Sequence, residues 1–391
     1  MSDTGARLRR GHASTDDAVL AGVRVIELAA KGPAPFGVMM LADLGADVIR
    51  VERPSAAADG AAPGGIDRGR RSIGLDLKAP DGLELLLALV ASADVLVEGQ
   101  RPGVAERLGF GPDVCRERNP RLVYARMTGW GQDGPLAQRA GHDINFLAVA
   151  GGLLPIGSAD RPPPPPLNLV GDFGGGATFL VIGILAALLE RERSGAGQVV
   201  DAAMVDGVAS LLTAYHELRS AGAWSDARED NVVDGGAPWY RTYDTADEQF
   251  VAVGCLEPKF WAILLERLGL DAEDWPVGDR ASWPAQRAAL AQVFAAHPRA
   301  HWEQLLDGSD ACVSPVLSLD ESTRAAHLVA RGVFCGTGEA PTPRPAPRLS
   351  RTPSRPAAHP PRARGHTEAI LDELAVPLAD RDRLRRAGVV A

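Results

Sequence analysis

The strongest constraint on the fold is an alternation of element types across residues 22–131. "GVRVIELA" (22–29), "ADVIRVERP" (46–54), "DVLVEG" (94–99) and "RLVYARMTGWG" (121–131) are short runs whose apolar residues are nearly continuous. Between them lie helical stretches: "APFGVMMLADLG" (34–45), closed by Gly45, "DGLELLLALVASA" (81–93) and the short "GVAERLG" (103–109). A strand that is apolar on both sides must be covered on both faces, and a helix between successive strands makes them parallel. The pattern therefore predicts an α/β fold with a Rossmann-like parallel sheet. Further helices are expected over 174–193 and about 201–221.

At 391 residues the chain exceeds a single ordinary core, which favours two domains. The character changes near residue 230. "WYRTYDTADEQFVAVGCLE" (239–257) has two strands around a polar turn, followed by the amphipathic "KFWAILLERLG" and "RAALAQVFAAH". We expect a disordered extension over 1–20, a large Rossmann-like domain over 21–225 and a smaller α+β domain over 226–335. A Pro-rich connector and a C-terminal helix, 336–391, then return to the large domain. The prolines of 340–365 exclude regular helix and central strand.

Composition excludes several functions. The formal charge of −9 argues against nucleic acid as a general partner. Four scattered cysteines (Cys115, Cys255, Cys312, Cys335) form no CxxC, so neither a zinc site nor a disulfide framework is indicated. The N-terminus has no apolar signal region, and "ATFLVIGILAALL", at 13 residues, is too short to span a bilayer, so a cytoplasmic protein without membrane partners is expected. The first βα turn lacks GxGxxG and no Walker motif occurs, which argues against nicotinamide or P-loop chemistry.

Basic residues collect in the first third: Arg50, Arg53, Arg68, Arg70, Arg71, Lys78, Arg101 and Arg107. They suit a phosphorylated ligand, or simply a solvated charged face. Three further stretches hold ionisable groups. His142 and Asp143 precede an apolar helix in "AGHDINFLAVAGGLL", and histidine is the side chain most readily set to move a proton near neutrality. Asp172 stands before three glycines in "NLVGDFGGG". Helix capping would account for it alone. It would not account for two helix starts that each carry an ionisable group beside small residues. Glu257 ends an apolar strand before Pro258, where a cap is the simpler reading.

"GVRVIELA…GP", "LADLGADVIRVERP", "EGQRPGVAERLG", "YARMTGWGQDGP", "AGHDINF", "PPLNLVGDFGGG" and "EPKFW" occur in order along nearly the whole chain. Together they resemble the family III CoA-transferase superfamily and, within it, the α-methylacyl-CoA racemases. The resemblance implies a Rossmann-like large domain, a smaller domain inserted in it, and an interlocked homodimer whose partner's small domain closes the site. It implies a racemase that inverts C2 of 2-methylacyl-CoA thioesters, with CoA as part of the substrate and no separate cofactor or metal. The alternative within the superfamily is a CoA-transferase using Asp172 as nucleophile. The catalytic pair implied is His142 and Asp172, with Glu257 supporting the histidine and Asp143 the aspartate. CoA would meet Arg53, Leu75 to Lys78, Gly99 to Arg101, Arg107 and the 141–146 turn, Gly141 and Phe146 included. Backbone amides of the "GHDIN" turn are the candidate donors to an enolate oxygen. Gln100 departs from the Phe or Tyr usual in the family.

Overall fold

In the computed structural model, residues 17–54, 65–336, 341–354 and 364–391 are described. The expected extension, apart from residues 17–20, and parts of the Pro-rich connector lie outside them. The chain divides into two units: Met1–Phe146, Asn168–Ser210 and Val333–Ala391 form one, and Leu147–Leu167 with Leu211–Gly332 the other. The stretches 147–167 and 211–225, placed with the large domain from sequence, thus cluster with the smaller unit.

The larger unit holds a six-stranded sheet in the order β3-β2-β1-β4-β5-β6. Its strands are β1 (Arg24–Leu28), β2 (Asp47–Glu52), β3 (Arg70–Gly74), β4 (Val95–Glu98), β5 (Val123–Thr128) and β6 (Val199–Ala203), and every pairing is parallel. The double-sided apolar runs have a direct explanation. Val25, Val48, Val95 and Val123 face one hydrophobic cluster, whereas their neighbours Ile26, Ile49, Leu96 and Tyr124 face the other. Successive strand side chains point to opposite faces, so each run supplies two cores at once.

The helices of this half are α1 (Pro33–Asp43), α2 (Pro80–Ala91), α3 (Val104–Leu108), α4 (Pro112–Arg118), α5 (Asp143–Val149) and α6 (Thr178–Ser194). Residues of α1 and α6 fill one core, and α2 fills the other. The helix Thr367–Glu373 brings Ile370 and Leu371 into that second core, and Ala391 exchanges backbone hydrogen bonds with Gly74 at the end of β3. The helical run Leu169–Ser194 is long and apolar enough, by length and composition, to cross a membrane. It is longer than the apolar stretch read from sequence, and its residues Leu180 and Ile184 are fully buried in the core it shares with the sheet.

The helix expected over 201–221 is instead β6 followed at once by α7 (Met204–Leu211) and then α8 (Thr213–Ser220). No turn residue separates β6 from α7, which is why the strand was hidden.

The smaller unit contains an antiparallel sheet in the order β7-β8-β9: β7 (Tyr240–Asp244), β8 (Phe250–Gly254) and β9 (Val313–Pro315). The helix α9 (Pro258–Leu268) follows β8. Its core is rich in tryptophan, with Trp239 edge-on to both Trp261 and Trp283 at 5.7 and 5.3 Å between centroids.

Candidate active site

All six strands of the parallel sheet end at one edge, and strand order reverses between β1 and β4. Open α/β sheets bind ligands at that edge, in the crevice opened by the reversal. The loops leaving β1 and β4 meet there: a Cβ on Gly99 would lie 3.2 Å from the Cβ of Ala30. Gly32, also after β1, has φ of 73° and packs so closely on Asp172 that a Cβ would stand 3.2 Å from its Oδ2.

Asp172 does not cap a helix. It lies inside a π-helical segment, Leu169–Ala177, that precedes α6, and no side-chain cap bond is made at the start of that segment. The wider winding is visible in the bond from the Phe173 N–H to the Asn168 carbonyl. Thr178 likewise donates its hydroxyl to the Phe173 carbonyl at 3.0 Å. Single π-helical turns recur at functional sites. Asp172 is half-buried, and its Oδ2 accepts a hydrogen bond from Asn168 Nδ2 at 3.3 Å. Burial pushes its carboxyl above the ordinary carboxylate range. The Asn168 bond and the His142 imidazole pull it back, while the Asp143 charge adds to the rise.

His142 and Asp143 arrive from the turn before α5. The His142 imidazole is exposed, and its backbone N–H is held by Asn145 Oδ1 at 3.0 Å. That bond removes the His142 amide from the possible donors to an enolate oxygen and leaves the first-turn amides that follow it. Asp143 is 7% exposed, and its Oδ2 accepts the backbone N–H of Asp172 at 2.7 Å. A side chain at Gly171 would break this contact, since its Cβ would come 2.5 Å from Asp143 Oδ2. Asp143 Oδ1 is buried and has no hydrogen-bond partner among the described residues. The "GHD" and "GDFGGG" stretches, far apart in sequence, are therefore joined in space through Asp143.

The basic residues separate into two groups. Arg50 pairs with Glu52 and Asp67, at 3.1 and 2.5 Å. Arg68 pairs with Asp43 and Arg70 with Glu27, both buried, and Arg71 binds Asp47 at 2.7 Å and Glu373 at 2.5 Å. These four neutralise carboxylates of the same unit and do not form a free phosphate patch. Arg53, Lys78, Arg101 and Arg107 are exposed and make no ion pair among the described residues. They follow β2, β3 and β4, at the binding edge, and Gly99 lies exposed beside them. Leu75 is 1% exposed, and Phe146 is 3% exposed with its ring edge-on to Trp130 at 4.8 Å. Both side chains are spent on core packing, so any ligand contact at these positions falls to backbone atoms. Gly141 is partly exposed and abuts the Phe146 ring.

In the smaller unit Glu257 occupies the N-cap position of α9 but makes no side-chain cap bond. Its carbonyl accepts from Phe260 and Trp261, and its carboxylate is left exposed. The sequence reading overlooked Asn168, Gly32 and the buried Arg126–Glu98 pair discussed below. A charged residue within the apolar strand β5 was the available signal for the last.

Residues 20–367 match the profile of CoA-transferase family III. Alpha-methylacyl-CoA racemase of Mus musculus is 47% identical over 358 residues, which cover 91% of this chain and 93% of that protein. The protein of the same name from Homo sapiens is 44% identical over 357 residues, covering 90% and 93%. Among solved structures, a CAIB/BAIF family protein from Brucella suis aligns with a TM-score of 0.78 at 28% identity, covering 91% of this chain and 99% of that one. The chain belongs to CoA-transferase family III.

Proposed function

We propose that this chain is an isomerase that inverts C2 of 2-methylacyl-CoA thioesters by proton transfer between two bases. The observation that carries the reading is the junction made by Asp143, which ties the His142 turn to the backbone of Asp172. Inversion needs one group to remove the C2 proton and another to return a proton to the opposite face. A neutral imidazole and a carboxylic acid form such a pair, and they exchange roles when the reaction runs backwards. The upward displacement of the Asp172 carboxyl moves it toward the range where a general acid works at neutral pH. Loss of the proton gives an enolate, whose oxygen is met by preorganised backbone amides of the first turn of α5. The high identity to two proteins named as racemases supports the same reading.

CoA enters as part of the substrate, over the edge that presents Arg53, Lys78, Gly99, Arg101 and Arg107. The active form is an interlocked homodimer. Two observations support it: Ile182 and Leu189 on α6 are 55% and 72% exposed, and the Glu257 carboxylate is not consumed by capping. In this arrangement Glu257 of one chain supports the His142 of the other.

The deciding experiment is incubation with a 2-methylacyl-CoA in deuterated water without an acceptor acid. Deuterium at C2, with both epimers appearing, is the expected result. A CoA-transferase would leave C2 untouched and turn over only when a free carboxylic acid is added, through an anhydride at Asp172.

A further inference from the structure

Arg126 is a charged residue within β5, 7% exposed, on a sheet packed mainly with valine, isoleucine and leucine that also holds the buried Arg70–Glu27 pair. Its register partner on β4 is Glu98, which is fully buried. Arg126 Nε donates to Glu98 Oε1 at 3.0 Å, and Nη2 donates to Glu106 Oε1 at 2.9 Å. The second oxygen of Glu98 accepts the backbone N–H of Gln100 at 2.5 Å. One guanidinium thus holds both ends of the segment Gly99–Arg107: the turn leaving β4 through Glu98, and α3 through Glu106. Burial pushes the Glu98 carboxyl up, while the Gln100 amide and Arg126 draw it back.

A buried ion pair is a poor means of adding stability, because well-packed apolar residues of similar volume do as well or better. Its geometric demands make it a good means of fixing one arrangement. Arginine suits this position because its planar fork can serve two carboxylates at fixed angles. The segment so held carries Arg101 and Arg107, two of the exposed cations at the binding edge.

We propose that Arg126 is a positioning residue for substrate binding: through Glu98 and Glu106 it sets the turn after β4 and helix α3 so that Arg107 meets the phosphates of the CoA ester. This rests on the reading of Gly99–Arg107 as a CoA-binding segment. Arg126 acts through Glu106 and Arg107 and does not touch the reacting atoms.

The test is steady-state kinetics of racemisation by the full chain, with variants at Glu106, whose side chain is 44% exposed. Glu106→Ala should raise KM for the 2-methylacyl-CoA by about three- to tenfold, the scale of coupling within one hydrogen-bond network, and leave kcat nearly intact. Glu106→Gln keeps an acceptor for Arg126 and should restore most of the loss. Arg126→Lys keeps the charge without the fork and should also raise KM. Arg107→Ala should raise KM alone, and adding Glu106→Ala to it should change nothing more. An unchanged KM in Glu106→Ala, or effects of the two substitutions that simply add, would overturn the positioning role while leaving the CoA-binding reading in place. An unchanged KM in Arg107→Ala would remove that reading, and the proposal with it.

Discussion

Asp143 accepts the backbone N–H of Asp172, 2.7 Å from its Oδ2, so the residue beside one candidate base fixes the main chain of the other. The contact has a geometric and an electrostatic consequence, and two substitutions separate them. Asp143→Ala strands a backbone N–H in the π-helical turn, at a cost of about 1–3 kcal/mol for an unsatisfied buried donor. Asp143→Asn keeps an acceptor oxygen and removes the charge. That charge is one of the causes that lift the Asp172 carboxyl, after burial. In the direction in which Asp172 removes the C2 proton, the pH profile of kcat/KM for Asp143→Asn should therefore show its acid limb displaced to lower pH. A limb that stays put or moves upward would separate Asp143 from the titration of Asp172.

The acid–base pair gives the most direct prediction. His142→Ala and Asp172→Ala should each lower racemisation by about 10²–10⁴-fold, the usual contribution of a general acid or base. Binding of the CoA ester should survive, because the cations that meet CoA lie on other loops. Each variant keeps one base, so residual deuterium exchange should come from one C2 epimer only, and from opposite epimers in the two variants. Turnover close to the parent in either variant would end the two-base assignment.

Stability should record the same carboxyl with the opposite preference. The folded chain holds Asp172 above the ordinary carboxylate range, chiefly by burial. A carboxyl raised on folding stabilises the fold fully below its unfolded pKa, about 3.9 for aspartate, and that contribution is lost as pH rises through the folded value. Once ionised, Asp172 is thus a net liability of the fold. Asp172→Asn should melt at a higher temperature than the parent on the alkaline side of the Asp172 titration, and the gap should close as pH falls through it. Thermal melts across that range test this, and a variant that melts at or below the parent temperature on the alkaline side contradicts it.

Sequence and structure agree where one local pattern dictates one element. β1, β2, β4 and β5 were readable because each alternates between two apolar cores, as Val25 and Ile26 do. β3, "RRSIG", was not readable, because Arg70 and Arg71 are satisfied by Glu27 and Asp47, partners distant in sequence. The same distant pairing made Arg50, Arg68, Arg70 and Arg71 look like part of a phosphate patch. The reading of Asp172 as a helix cap was wrong, since it lies inside the π-helical segment Leu169–Ala177. Its surroundings depend on a π-helical winding fixed by Asp143 and by contact with Gly32, and neither relation is visible in local sequence. The roles of Asp172, His142 and Glu257 came from motif resemblance. Periodicity and charge alone gave no role to Glu257.

Assembly supplies the last prediction. Glu257 stands at the start of α9 in the smaller unit with a free carboxylate, and His142 belongs to the larger unit. If Glu257 of one chain supports the His142 of its partner, each active site is built from two chains. Co-refolding Glu257→Ala with His142→Ala chains then yields heterodimers with one site that has lost both residues and one that is intact. Activity should return in the mixture to about half of the parent level per heterodimer, since one site of the two survives, while each variant refolded alone stays impaired. Interlocked subunits would also have to unfold partly to separate, so stability should rise with protein concentration and dilution should yield no folded monomer. The two measurements are independent. Heterodimers that form but remain as inactive as their parents would place Glu257 and His142 in the same chain's site, and a folded monomer on dilution would remove the interlock.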